Sequence, residues 1–138
     1  MKTVVRHADE RDFTRGLRAF FEYADLGIAE ATKGGFGANV IRAVPGVHTE
    51  PQWHLHELDF QMVLVVKGWV RFEYEDIGEV TLTAGTSVLQ APRVRHRELS
   101  HSDDLELVEI TAPAEFETRL VDAPLNKKSG DALLRRQV

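Results

Sequence analysis

The stretch WHLHELDFQMVLVVKGW, residues 53–69, places two histidines two positions apart and then one glutamine in an apolar run that ends at Gly68. In a β-strand, residues two positions apart point to the same face, so His54 and His56 project together. Two imidazoles side by side in a barrel interior are costly to bury without partners, and a divalent cation removes that cost by taking a lone pair from each. Gln61 needs hydrogen-bond partners or a metal for the same reason, because an unsatisfied buried amide costs about 1–3 kcal/mol.

Strand-like sequence continues on both sides of this stretch. In WVRFEYED, residues 69–76, the apolar residues Val70, Phe72 and Tyr74 alternate with charged residues, which is the period-two pattern of a half-buried strand. Many short strands at regular spacing predict an all-β sandwich or barrel. The other short runs, separated by glycine, proline or polar turns, cover residues 38–44, 52–58, 60–66, 79–83, 87–91, 96–100 and 105–112.

The segment before these strands has a different pattern. The apolar residues of DFTRGLRAFFEYADL, residues 12–26, form part of a helical stripe that Gly16 weakens, so we expect a short helix or turn there. A chain of 138 residues is long enough for one domain with its own core. We therefore predict a single domain over residues 1–138, with an N-terminal segment at 1–33, the barrel core at about 34–113 and a tail at 114–138.

Composition excludes several classes of function. The formal net charge of −5 leaves no excess of cations to neutralise phosphates, which speaks against a nucleic-acid partner. No apolar run approaches the roughly 20 residues that a membrane span needs, and the N-terminus becomes charged too early to form a signal-peptide core. We therefore expect a cytoplasmic protein with no membrane partner. Because the chain has no cysteine, any metal site must use histidine, carboxylate or amide ligands.

A third histidine, His96, follows a turn in the sequence QAPRVR. After the tight turn that follows His56, we expect the strand of Gln61 to run back beside the first strand, whereas His96 comes from a distant strand. A metal held by these residues would keep positions open to solvent, which distinguishes a working metal centre from a closed structural one.

The pattern resembles the cupin superfamily. The first motif of that family runs Gly, five residues, His-x-His, three or four residues, Glu, six residues, Gly, and here it matches at His54, His56 and Gly68, with Gln61 in place of Glu and Gly46 two positions early. The second motif runs Gly, five residues, Pro, one residue, Gly, two residues, His, three residues, Asn. Gly85 and His96 match it, and the departures are Ala91, Arg93 and Ser100, with Pro92 one place late.

The resemblance implies a double-stranded β-helix, or jelly-roll, barrel that binds one divalent metal ion (Fe, Mn, Ni or Zn). It implies the ligand set His54, His56, Gln61 and His96, in which Gln61 is either a direct ligand or an amide that supports the ligands. Three neutral imidazoles and a neutral amide leave the charge of the cation uncancelled, which favours anionic or enolisable substrates. A three-histidine face is similar to that of the diketone-cleaving and thiol dioxygenases among cupins, which use ferrous iron.

Three functions follow as hypotheses. The first is a small mononuclear metal-dependent dioxygenase acting on an anionic or enolisable small molecule. The second is a non-catalytic module that binds a metal and a small ligand, and the third is a metal-dependent isomerase, for which no acid–base pair is visible. Apolar residues on outward strand faces, with Leu55 as one candidate, also predict a homodimer.

The remaining polar residues have simpler interpretations. His7, His48 and His101 lie in polar segments and are expected to be solvated. Glu98 shares the face of His96 and is either a partner that fixes the tautomer of that histidine or a surface carboxylate.

Overall fold

The computed structural model describes residues 1–16 and 18–125, which fold into two antiparallel β-sheets that face each other. In spatial order the first sheet contains β1 (Thr14–Arg15), β2 (Phe21–Asp25), β3 (Gly37–Ala43), β10 (Glu106–Ala112), β5 (Phe60–Lys67) and β8 (Ser87–Leu89). The second sheet contains β11 (Glu117–Leu120), β4 (His54–Glu57), β9 (His96–His101), β6 (Trp69–Tyr74) and β7 (Gly78–Thr83). The predicted all-β jelly-roll architecture is confirmed.

Helical structure is confined to short pieces. The described residues contain a 3-10 helix at Ala8–Glu10 and one helix of four residues, α1 (Ile28–Ala31). Within the same part of the chain, no helix has the length and apolar character that crossing a membrane requires.

The alternation of side chains along each strand sets which of them enter the core. On β5, Gln61, Val63 and Val65 are buried, whereas Leu64 and Val66 on the opposite face are exposed. Leu55 is only 8% exposed in the single chain, so it does not offer the exposed outward apolar surface that was expected of it. The main cluster of the core combines both sheets and includes Phe20, Phe21, Ile41, Val63, Val65, Val70, Phe72, Tyr74, Leu82, Leu105 and Leu107.

The N-terminal and C-terminal segments extend the sheets beyond residues 34–113. Within residues 12–26, where we expected a short helix or turn, the structure has a turn at 19–20. The strands β1 and β2 flank this turn and pair in antiparallel orientation. Pairing of β2 with β3 overrides the partial helical stripe, because it buries Phe21 against the other sheet. The strand β11 pairs with β4 in the same way. Residues 126–138 of the predicted tail lie outside the described residues.

The strand that carries Gln61 is not the neighbour of the strand that carries His54. The chain crosses from one sheet to the other between β4 and β5, so Gln61 lies in the opposite sheet, and the expected adjacency is wrong. His96, which was expected on a distant strand, lies directly opposite His54 in the pairing of β9 with β4. The reason is that a short turn can join two facing sheets as well as two paired strands, and the sequence does not distinguish these connections.

The turn before β9 has the left-handed backbone that the second cupin motif assigns to glycine. Arg93 stands at that position with a φ of 62°. Its amide donates to the carbonyl oxygen of His56 at 3.2 Å, so the strained turn ties β4 to the start of β9. The arginine side chain is 59% exposed and its nearest acid is Glu57, at 3.9 Å.

We predict that Arg93→Gly raises the free energy of unfolding by roughly 0.5–1 kcal/mol, because relief of about 1–2 kcal/mol of left-handed strain exceeds the roughly 0.5–1 kcal/mol entropic cost of glycine. Arg119→Gly is the matched control, since Arg119 is also 59% exposed and also contacts Glu57, but lies within β11. The control should lower stability. Equal destabilisation of both variants in urea titrations would contradict this account of the turn.

Candidate metal centre

Three imidazoles meet inside the barrel. His54 and His56 extend from β4, and His96 extends from β9. One ring nitrogen from each histidine lies within 4.8 Å of the others, and the ring centroids are 4.2–5.1 Å apart. The predicted convergence of these three residues is therefore present, and the cluster could hold a metal ion.

Hydrogen bonds orient each ring toward the cluster. The Nδ1 atoms of His54 and His96 lie 2.8 Å and 3.0 Å from the carbonyl oxygens of Gln52 and Val94. Because a carbonyl oxygen only accepts, each Nδ1 carries the proton and the lone pair stays on Nε2. His56 Nδ1 lies 2.8 Å from the hydroxyl of Thr118, its cross-strand partner on β11. Metal-binding histidines typically have such partners on their other nitrogen.

Burial keeps the cluster neutral. Removal from water lowers the pKa of His54 to about 4 and the pKa values of His56 and His96 to about 3. Mutual repulsion adds to the effect at His56 and His96, and the charge of Arg18 acts in the same direction on all three. All three imidazoles are thus unprotonated at neutral pH, as ligands must be.

Gln61 faces the cluster from the opposite sheet. It is 3% exposed and lines the same cavity as the three histidines. Its Nε2 donates to an oxygen of Glu109 on β10 at 2.9 Å. Since the amide nitrogen is engaged, the carbonyl oxygen is the atom that remains for a ligand role, whether direct or through water.

Glu109 is a functional candidate that the sequence analysis missed. It lies on the inward face of β10 beside Leu107 and Thr111 and borders the cavity. Burial raises the pKa of its carboxyl above the usual range, although the hydrogen bond from Gln61 opposes this shift. A signal was available, because Glu106 and Glu109 are three positions apart, and a regular strand would place them on opposite faces.

A second polar cluster lies next to the histidines. Glu98 Oε2 accepts a short hydrogen bond from the hydroxyl of Thr49 and lies 2.7 Å from His101 Nδ1. His101 has a side chain only 4% exposed, so its expected solvation is wrong. The cause is a register shift between β6 and β9, which brings two residues three positions apart to one side of the strand.

This cluster contradicts both interpretations of Glu98 that the sequence allowed. The carboxylate is 5% exposed, so it is not a surface group, and it does not contact His96 Nδ1, which bonds to Val94 instead. Its other oxygen, Oε1, is buried without a hydrogen-bond partner among the described residues. His7 and His48 are exposed, as expected.

The cavity in front of the cluster has a volume of about 600 Å³. Its wall combines the three histidines and the carboxyl groups of Glu98 and Glu109 with Arg18 at one side. Aromatic rings complete the wall, namely Phe20, Phe21, Tyr23, Phe72 and Phe116. The three imidazole nitrogens form a donor set that suits first-row divalent metals rather than Mg²⁺ or Ca²⁺, and the cavity leaves room for a small ligand beside them.

Solved structures support the same architecture. No protein-family model and no curated protein matches the sequence. KdgF from Halomonas sp. is similar over 80% of this chain and 95% of its own, with a TM-score of 0.64 and 19% identity. A sugar phosphate isomerase of the cupin superfamily from Silicibacter pomeroyi is similar over 90% of this chain and 84% of its own, with a TM-score of 0.65 and 18% identity.

A third similar structure contains iron. HppE in its Fe(II) form has a TM-score of 0.60 and 15% identity, and the match covers 79% of this chain and 60% of HppE. At these identities the likeness shows the fold, and the chain has the jelly-roll fold of the cupin superfamily.

We predict that the metal-free protein loses stability on acidification from pH 7 to pH 4. The unfolded histidines protonate near pH 6.5, whereas the folded ones stay neutral to about pH 4 or 3, so the unfolded state binds more protons in this window. Each histidine should contribute up to about 1.4 kcal/mol per pH unit. His56→Gln should make the slope of unfolding free energy against pH shallower, and His48→Gln should not. Identical slopes in all three proteins would contradict burial of neutral imidazoles.

Proposed function

We propose that this chain is a mononuclear metal-dependent enzyme that acts on a small, enolisable, anionic molecule. His54, His56 and His96 would hold a divalent ion, with Gln61 as a fourth ligand. The observation that carries the proposal is the convergence of three oriented, neutral imidazoles on a cavity large enough for a small molecule. A divalent ion bound there would act as a Lewis acid that polarises a carbonyl or carboxyl oxygen of the substrate.

The reaction that the cavity supports best is proton transfer next to that oxygen. Glu109 borders the same cavity, and its position on the sheet opposite His54 places a carboxyl across from the metal ligands. The hydrogen bond from Gln61 fixes this carboxyl. A carboxyl held in an apolar wall can take up and return a proton at neutral pH. The isomerase hypothesis therefore gains the acid–base group that the sequence did not show, in agreement with the name of the Silicibacter pomeroyi protein.

Dioxygenase chemistry is the second candidate. The three-histidine set with an open side favours it, and the Fe(II) form of HppE supports iron as the metal. Both reactions begin with an enolisable substrate, and they differ in whether dioxygen is consumed. A module that binds ligands without turnover would show neither proton exchange nor oxygen uptake.

Loading with a metal tests the ligand set. We predict one zinc or iron ion per chain by elemental analysis, and a loss of affinity in His96→Ala greater than the roughly 10–100-fold that loss of a supporting residue costs. Gln61→Ala should weaken binding by about 10-fold. His48→Ala, at an exposed histidine outside the cavity, is the control and should bind as the wild type does. Unchanged affinity in His96→Ala would refute the proposed site.

Glu109→Gln tests the proton-transfer role. With zinc-loaded protein under argon in D₂O, deuterium incorporation into dihydroxyacetone phosphate and 4-oxopentanoate should fall by about 100-fold or more. Zinc affinity should change little. Glu106→Gln is the matched control, since Glu106 lies on the same strand and contacts Arg11 outside the cavity. Oxygen uptake by iron-loaded protein, undiminished in Glu109→Gln, would favour the dioxygenase instead.

We also propose a homodimer formed by the outer face of the first sheet. Phe60, Leu64 and Val66 on β5 and Leu89 on β8 are exposed there, and a second copy would cover this apolar surface. Sedimentation velocity should show a two-chain species in the wild type and one chain in Val66→Glu. Ile77→Glu, at an exposed apolar residue in a turn away from this face, should remain a dimer.

A further inference from the structure

Arg18 places a positive charge beside the proposed metal site. Of the lysines and arginines in the described residues, it alone lines the cavity of the three histidines. Its guanidinium lies 6.0 Å from the centre of the Phe20 ring, which also lines the cavity.

No acid lies within ion-pair distance of this arginine in the part of the chain that the structure describes. Ion pairs there connect Arg11, Arg42, Arg71, Arg93, Arg97 and Arg119 with carboxylates, and none includes Arg18. Arg95, which lies beside His96 in the sequence, is also engaged, because its guanidinium donates to the carbonyl oxygen of Asp122.

A divalent ion on the histidines would make the position of Arg18 less favourable. Like charges repel more strongly in a cavity with apolar walls than in water, because the effective dielectric constant is lower. Glu98 and Glu109 border the same cavity, but neither forms an ion pair with Arg18 among the described residues; one oxygen of Glu98 contacts Thr49 and His101, and one oxygen of Glu109 accepts from Gln61. The charge of Arg18 therefore remains for a group that the chain itself does not supply.

We propose that Arg18 binds the oxyanion group, carboxylate or phosphate, of the substrate whose enolisable end lies at the metal. An anion between two cations removes their repulsion, and the planar guanidinium can donate two parallel hydrogen bonds to either kind of oxyanion. Arg18 would thus set specificity for acidic over neutral substrates. This inference rests on the proposed function, because it assigns one end of the substrate to the metal.

Two pairs of small molecules test this role. Each pair compares a charged molecule with a neutral one of similar shape, and the two pairs differ in whether the charged group is a phosphate or a carboxylate. Dihydroxyacetone phosphate is compared with dihydroxyacetone, and 4-oxopentanoate with its methyl ester, by calorimetric titration of the zinc-loaded protein. In Arg18→Gln the charged member of at least one pair should bind about 10–100-fold more weakly, which is the worth of a charge-assisted hydrogen bond. Its neutral partner should bind as before. The pair that responds identifies the oxyanion.

Two further variants keep the test specific. Arg18→Lys keeps the charge but loses the two-pronged geometry, so it should fall between the wild type and Arg18→Gln. Arg15→Gln is the matched control, because Arg15 lies three positions away and donates to the carbonyl oxygen of Ala19 instead of lining the cavity. It should bind all four probes as the wild type does.

The outcomes that overturn the inference differ from those that overturn the proposed function. If zinc binds but Arg18→Gln weakens charged and neutral probes equally, or no charged probe binds the wild type, the role of Arg18 is refuted and the metal site stands. If zinc does not bind, the proposed function fails. If inorganic phosphate then binds the metal-free protein and does not bind Arg18→Gln, an oxyanion site at Arg18 is still supported. If phosphate does not bind the metal-free protein, the oxyanion site is refuted as well.

Discussion

Three imidazoles buried without protons in one barrel interior are the constraint on which the rest of the structure depends. Each ring has one nitrogen committed to a carbonyl or hydroxyl oxygen, so the other nitrogens of His54, His56 and His96 share one small volume. Burial suppresses protonation, which would otherwise push the rings apart by charge repulsion. A cation that accepts all three lone pairs is the simplest group that satisfies this arrangement.

The sheets make this convergence possible. His54 and His56 come from one strand by its period of two, and His96 is the cross-strand partner of His54, so one sheet supplies the whole triad. The facing sheet supplies Gln61 and Glu109. The ligand set predicted from the sequence is neutral and leaves the charge of a bound metal uncancelled. The structure adds two acidic residues, Glu98 and Glu109, to the cavity wall. Arg18 adds a positive charge on the same wall, so the cavity offers both signs to a ligand.

The sequence predicted most of what is local. Alternating apolar residues and glycine turns indicated the positions of the strands from β3 to β10, because period-two burial and positive-φ turns depend on neighbouring residues. It did not predict which strands are neighbours, and so it placed Gln61 beside His54 rather than across from it. Nor did it find the pairing of Glu98 with His101, which depends on a register shift between two strands distant in sequence. Arg18 was hidden for a similar reason, because only the pairing of β2 with β3 brings its segment to the cavity.

X-ray absorption at the metal edge of the loaded protein tests the central claim most directly, because it measures the ligands of the ion without reference to any reaction. Three imidazoles should appear as nitrogen neighbours at about 2.0–2.1 Å for zinc, together with the outer-shell scattering of rigid rings. The remaining neighbours should be oxygens from Gln61 or solvent, which add no outer-shell scattering from a ring. A spectrum with one imidazole or none would show that the ion binds elsewhere, and the shared site of His54, His56 and His96 would be contradicted.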